Sequence, residues 1–363
     1  MPYGGSGIGA QQGGGIDNSM SRYGMAAMVT PIAEVLRDVP VTEKVVDAED
    51  LHVSFVSKDT TVYAVNGVTF SLDPGEVLCI LGESGSGKSV TLRALTRLLP
   101  KGKTRISGRV HVDGRDIMAL NTAELSRVRG KIIAMIFQEP MTALDPVYTI
   151  GDQIAETVIR HEGASREAAY ARALELLELT QIPSAKRRLK AYPHELSGGL
   201  RQRAMIAIAL SCRPRVLLAD EPTTALDATV QIQILLLLRQ LQKELGMSVI
   251  FVTHDLGVAG EIADRIAVMY AGRFVESGPV GAVMRDPLHP YTQGLMASTV
   301  HGQLKGKRLR TIEGSPPNME KLVNACSFAP RCPYAEARCL EGVPPEIWPV
   351  PARMARCILL EGQ

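Results

Sequence analysis

Val77-Leu78-Cys79-Ile80-Leu81-Gly82-Glu83-Ser84-Gly85-Ser86-Gly87-Lys88-Ser89-Val90 decides how the rest of this 363-residue chain is read. Its first five residues are an apolar run with the length of a strand buried on both faces of a parallel sheet. The next eight match G-x-x-x-x-G-K-[ST], and the pattern of residues 90–99 predicts a helix behind them. Gly82, Gly85 and Gly87 let the backbone turn so that successive N–H groups face phosphate oxygens. A helix opening near Lys88 adds a positive dipole end of roughly half an elementary charge. Lys88 is placed to reach the β- and γ-phosphates, and the Ser89 hydroxyl to ligate Mg²⁺. A chance glycine turn would lack both flanking elements. The stretch implies a site for MgATP.

A second apolar run, Val216-Leu217-Leu218-Ala219, ends in Asp220 and Glu221. Acidic strand ends are common for structural reasons alone. Paired with the loop, Asp220 would hold Mg²⁺ through water and Glu221 would polarise an attacking water as general base.

Composition sets the outer bounds. A guide of about 150 residues per domain suggests two domains, or one with appendages. The formal net charge of +2 is too small to argue for nucleic acid, and aromatics at 4% leave few stacking platforms for single strands. No stretch approaches the ~18 apolar residues of a membrane span. The N-terminus lacks the basic start and apolar block of a secretory signal. A cytoplasmic protein is expected, in which the six cysteines are free, metal-binding or redox thiols before they are disulfides.

Residues 1–45 are rich in Gly, Ser and Met without apolar periodicity, so a disordered tail is expected; alternatively the start lies at Met20, Met25 or Met28. Residues 51–55 and 62–72 alternate like strands, and further strands are expected at 132–137, 216–219, 248–252 and 266–270. Helical spacing marks residues 152–161, 165–179 (with Ser165 as N-cap) and 228–245. The fold class is therefore α/β, a mostly parallel P-loop sheet covered on both faces. A helical part at about residues 141–210 is inserted within a nucleotide-binding domain of residues 46–287. Residues 288–363 turn Pro- and Cys-rich and read as a separate appendage. Lys186-Arg187-Arg188 reads as a solvated face rather than a phosphate or lipid contact.

Leu196-Ser197-Gly198-Gly199, followed by Leu200-Arg201-Gln202-Arg203, is a second place where backbone N–H groups gather at a helix start. With this tetrapeptide upstream of Asp220, residues 47–281 resemble the ATP-binding cassette (ABC) ATPases. Leu196, Ser197, Gly198 and Gly199 look like that family's signature motif, with Leu200 where many members have Gln. The resemblance implies an antiparallel β subdomain beside the parallel sheet, and further roles. Gln138 is similar to the loop glutamine that senses Mg²⁺, Ala225-Leu226-Asp227 to the D-loop, and His254 to the switch histidine at the γ-phosphate. Phe55 occupies the position of the aromatic that stacks on adenine, with Tyr63 as the alternative. In this family two cassettes sandwich two ATP molecules between one chain's loop and the other's signature. A chain with one of each needs a partner cassette, here expected to be a second, different subunit.

Phe137-Gln138-Glu139-Pro140-Met141-Thr142-Ala143-Leu144-Asp145-Pro146 resembles the oligopeptide/dipeptide importer branch, which also includes nickel importers. So do His289-Pro290-Tyr291-Thr292, Ile312-Glu313-Gly314-Ser315-Pro316-Pro317 and Phe328-Ala329-Pro330-Arg331-Cys332-Pro333. The branch implies an ATPase subunit peripheral to the cytoplasmic face of the membrane. Two permease subunits and an extracytoplasmic binding protein would be its partners, and residues after Gln138 would grip the permeases. A soluble ABC ATPase acting on DNA or ribosomes is the other class; those usually carry two cassettes or a long coiled coil. Cys79 and Cys212 read as core thiols. Cys326-x5-Cys332-x6-Cys339-x17-Cys357 could close a Cys₄ site for zinc or an iron–sulfur cluster, or stay unligated. The absence of a C-x2-C knuckle favours a cluster, and some members of the branch carry one, of the [4Fe–4S] type.

Overall fold

The computed structural model describes residues 44–224, 226–298 and 311–362. Residues 1–43 of the expected tail and Ala225 of the expected D-loop lie outside the described residues. Val45 is buried and donates its N–H to the Leu72 carbonyl at 2.8 Å, so the packed core begins just ahead of the first strand, within the span expected as tail.

In chain order, β1 (Val46–Val56), β2 (Thr61–Leu72) and β3 (Val77–Leu81) lead into α1 (Lys88–Leu95), then β4 (Thr104–Val112), β5 (Arg115–Asp116), α2 (Thr122–Val128) and β6 (Ile133–Ile136). Five helices follow: α3 (Pro140–Ala143), α4 (Ile150–Glu162), α5 (Arg166–Leu179), α6 (Ala185–Arg188) and α7 (Gly198–Ala209). The chain then returns through β7 (Val216–Asp220), α8 (Ala228–Leu245), β8 (Ser248–Thr253), α9 (Leu256–Ile262), β9 (Arg265–Tyr270) and β10 (Arg273–Pro279). It closes with α10 (Val280–Arg285), α11 (Pro290–Ser298), β11 (Ile347–Val350) and β12 (Arg353–Ala355).

Two sheets result. β2-β1-β4-β5 is antiparallel, and the larger sheet runs β11-β12-β10-β9-β3-β8-β7-β6 with β6, β7, β8, β3 and β9 parallel. All five residues of β3 are buried, and they alternate between two cores. Val77, Cys79 and Leu81 pack with the helices α4–α9, whereas Leu78 and Ile80 pack with the antiparallel sheet and α1. That alternation is why a central parallel strand reads as an unbroken apolar run.

Helix limits follow their caps. Ser165 accepts from Ala168 N at 3.2 Å as the N-cap of α5, and Asp227 accepts from Val230 N at 3.0 Å as that of α8. Gly163 and Gly246 close α4 and α8 in the left-handed conformation. Lys186 and Arg187 in α6 are exposed and Arg188 half-buried.

The segment expected as a separate appendage is continuous with the cassette. β12 pairs with β10 and carries β11 on its outer edge, so the extension supplies two of the eight strands. Tyr291 and Phe328 lie in the main hydrophobic core. The extension has only small apolar clusters of its own, around Ala329, Cys339 and Ile358 and around Ala355, Cys357 and Leu360, and otherwise completes the core already built.

Candidate nucleotide-hydrolysing site

The carboxyl ends of parallel strands are where α/β sheets bind ligands. Here an open cleft of about 560 Å³ lies beyond β3, β6, β7 and β8, lined by the loop Gly82–Val90 (all but Ser86) and by Gln138, Glu221 and His254. The three polar residues come from three different strand ends, so only the sheet brings them together.

Two glycines set the loop. A Cβ on Gly87, at φ 107°, would sit 2.3 Å from the Ala64 carbonyl, and one on Gly82 would sit 2.2 Å from that of Met269. Only a residue without a side chain fits where these backbones cross. Gly87→Ala is expected to destabilise the fold by about 1–3 kcal/mol from the backbone conformation alone and to abolish nucleotide binding. Thermal unfolding and nucleotide titration of the same preparation check both.

Lys88 is buried, and its Nζ donates to the Gly82 and Glu83 carbonyls, each at 2.9 Å. Burial pushes the ammonium below its ordinary value, while Glu221 and then Asp220 pull it back up. Ser89 Oγ donates to Asp220 Oδ1 at 2.6 Å. The second oxygen, Oδ2, is buried with no hydrogen bond, and its nearest cation is Arg93 Nη2 at 3.6 Å. Burial raises the Asp220 carboxyl above the usual range, against the opposing Ser89 bond. A hard divalent cation takes oxygen donors, and an orphaned carboxylate oxygen beside a serine hydroxyl fits Mg²⁺.

Glu221 sits at φ 45°, just past β7. Its Oε2 is met by Thr224 Oγ1 at 3.0 Å, His254 Nδ1 at 3.2 Å and Gln138 Nε2 at 3.4 Å, while Oε1 is 3.9 Å from Lys88 Nζ. Thr224 had no expected role. Its only local signal is its place beside the D-loop segment.

Other expected site residues stay outside the cleft. Ser197 caps α7, accepting from Leu200 N at 3.4 Å, and Leu196 is buried; neither they nor Gly198 and Gly199 line it. Asp227 caps α8. Phe55 is half-buried near the end of β1, paired with Val62 and Thr104, and does not line the cleft. Tyr63 lies instead against the extension, donating its N–H to the Met319 carbonyl at 2.8 Å.

Cys79 and Cys212 are buried core thiols, both pushed up by burial. Cys326, Cys332, Cys339 and Cys357 line one small pocket with His289. Among the described residues no group of three or more His, Cys, Asp or Glu is arranged to hold a metal ion. Burial pushes Cys326, Cys332 and Cys357 up, Cys357 to about 11.

A phosphate loop, a carboxylate under its serine and a hydrogen-bonded carboxylate facing its lysine together define a P-loop nucleoside triphosphatase. The chain matches the ABC transporter family over residues 65–224 and the oligopeptide/dipeptide transporter C-terminal region over residues 275–339. It is 47% identical over 298 residues to the dipeptide transport ATP-binding protein of Bacillus subtilis, covering 82% of this chain and 89% of that one. To the oligopeptide transport ATP-binding protein of Salmonella typhimurium it is 46% identical over 311 residues, covering 86% and 92%. A dimeric ATP-binding cassette solved after hydrolysis with ADP and phosphate is similar at a TM-score of 0.58 and 32% identity, covering 65% of this chain and 98% of that one. The chain belongs to the ATP-binding subunits of ABC transporters, in their oligopeptide/dipeptide branch, and is an ATPase.

Proposed function

We propose that this chain energises a peptide importer by hydrolysing ATP at half of a shared site. The observation that carries the reading is the set of three donors on Glu221 Oε2, which aims one carboxylate into the cleft beside Lys88. Lys88 and the N–H groups of the loop hold the β- and γ-phosphates; Ser89 and Asp220, with Gln138 alongside, would hold Mg²⁺. Bound there, the metal would neutralise charge on the phosphates. Glu221 takes the proton of the attacking water, and His254 contacts the γ-phosphate. Phe55 is proposed to meet the adenine.

Ser197, Gly198 and Gly199 lie outside the chain's own cleft, which supports their use by a partner cassette's ATP; Asp227 would cross to that partner. Gln138 lines both the cleft and a groove formed with Arg93, Phe137, Glu139, Thr142 and Ala143. Exposed Met141, Val147 and Tyr148 follow it, a fitting seat for a permease segment. No helix among the described residues is long and apolar enough to cross a membrane. We place the subunit peripherally on the cytoplasmic face, with two permeases, a second cassette chain and an extracytoplasmic binding protein. The layout proposed is a cassette of residues 46–287, its helical part at 141–210, and an extension from 288.

ATPase stimulation in the reconstituted transporter, tested with binding protein and a panel of ligands, checks the substrate class. Peptides are expected to stimulate; stimulation by nickel chelates alone would replace peptide with nickel.

For the four cysteines we propose a [4Fe–4S] cluster. What supports the reading is that all four cysteines line one pocket, where their thiolates can share an iron–sulfur group. Bound there, it would cross-link segments with little core of their own. Iron and acid-labile sulfide are expected in protein purified without oxygen. Zinc without iron would overturn the cluster, and absence of any metal would overturn the site.

A further inference from the structure

Glu83 is an acid placed inside a loop built to receive a polyanion. It lines the cleft, and an unpaired carboxylate there would repel the incoming phosphates. The extension deals with this residue twice. The Tyr291 hydroxyl accepts the Glu83 backbone N–H at 3.0 Å, and the Arg331 guanidinium grips its carboxylate with a fork of two bonds, Nη1 to Oε2 at 2.8 Å and Nη2 to Oε1 at 3.1 Å.

Arg331 is itself held rigidly. Its side chain is 5% exposed, Nε donates to the Glu313 carbonyl at 2.9 Å, Nη1 also to the Tyr270 hydroxyl at 3.3 Å, and Nη2 to the Ile312 carbonyl at 3.4 Å. The guanidinium lies 5.8 Å from the Tyr270 ring centroid, and Tyr270, Tyr291 and Phe328 pack ring against ring with centroids 4.6–5.4 Å apart. A bidentate guanidinium with its remaining donors engaged fixes the geometry of its carboxylate as well as its charge.

We propose that Arg331 is a positioning residue for nucleotide binding: it holds and neutralises Glu83, so the C-terminal extension sets the phosphate loop's affinity for ATP. The inference rests on the loop being the ATP site. Were that wrong, the wild-type chain would bind no ATP, a failure distinct from those below.

The test measures KM for ATP and kcat in the reconstituted transporter, with fluorescent-nucleotide binding to the full-length chain. Arg331→Met is expected to raise KM about tenfold, the cost of one exposed like charge in the cleft, with kcat changed by less than about twofold. Adding Glu83→Gln to that variant removes the repulsion and should bring KM back to within about threefold of wild type. An unchanged KM in Arg331→Met overturns the proposal. So does a double variant as impaired as the single one, which would make the pair a structural staple only. Should Arg331→Met not accumulate as folded protein, Arg331→Lys keeps the charge and loses the fork. Its KM is then expected to rise about threefold and to recover with Glu83→Gln; no rise there overturns the proposal equally.

Discussion

Glu221→Gln should bind MgATP at least as tightly as the wild type and turn it over about a thousandfold more slowly, the scale of a lost general base. The substitution keeps the shape of the side chain and its acceptor oxygen, so the bonds from Thr224, His254 and Gln138 can persist. What disappears is the ability to accept a proton from water. It also removes the negative charge 3.9 Å from Lys88 Nζ, which strengthens that lysine's pull on the phosphates. The transporter should therefore accumulate in the nucleotide-bound closed form. Single-turnover hydrolysis and nucleotide retention on the purified complex check this; turnover within tenfold of wild type would take the general base away from Glu221.

The site was legible because its chemistry is written next to its supports. The loop follows β3 directly, Glu221 follows β7 and His254 follows β8, so each strand announces the residue it delivers. α8 was legible end to end from its apolar spacing, and the structure adds Asp227 as its cap and Gly246 as its close. α1 was not. The apolar pattern runs to Leu99, yet the helix stops at Leu95 and Arg97 turns left-handed with no glycine or proline to signal it. The extension was least legible. Arg331 and Glu83 are 248 positions apart, and β12 finds β10 only after the folded sheet offers an edge. Neither contact leaves a periodicity or a cap in the local sequence. The tetrapeptide at Leu196 announced a helix start, which the structure contains, while its four residues lie outside the chain's own cleft.

Gly198→Asp should lower the ATPase rate of the assembled transporter about a hundredfold, the scale of losing preorganised donors at a phosphate, while this chain's own loop binds nucleotide within about twofold of wild type. The choice of residue matters. A Cβ on Gly198 would meet Leu226 Cδ2 at 3.5 Å, an ordinary contact, whereas one on Gly199 would lie 2.7 Å from Val230 Cγ1. A Gly199 variant would mix lost chemistry with lost packing. An acid at the first position of α7 also complements the helix dipole, so the fold tolerates it. For the same reason it occupies the N–H groups that a partner's γ-phosphate would need and sets a like charge against it. Binding intact and turnover lost, from a substitution outside the cleft that holds Lys88, is the result a shared site requires. Retained turnover would show that Leu196, Ser197, Gly198 and Gly199 serve only to start a helix, and that the loop from Gly82 works without a second cassette.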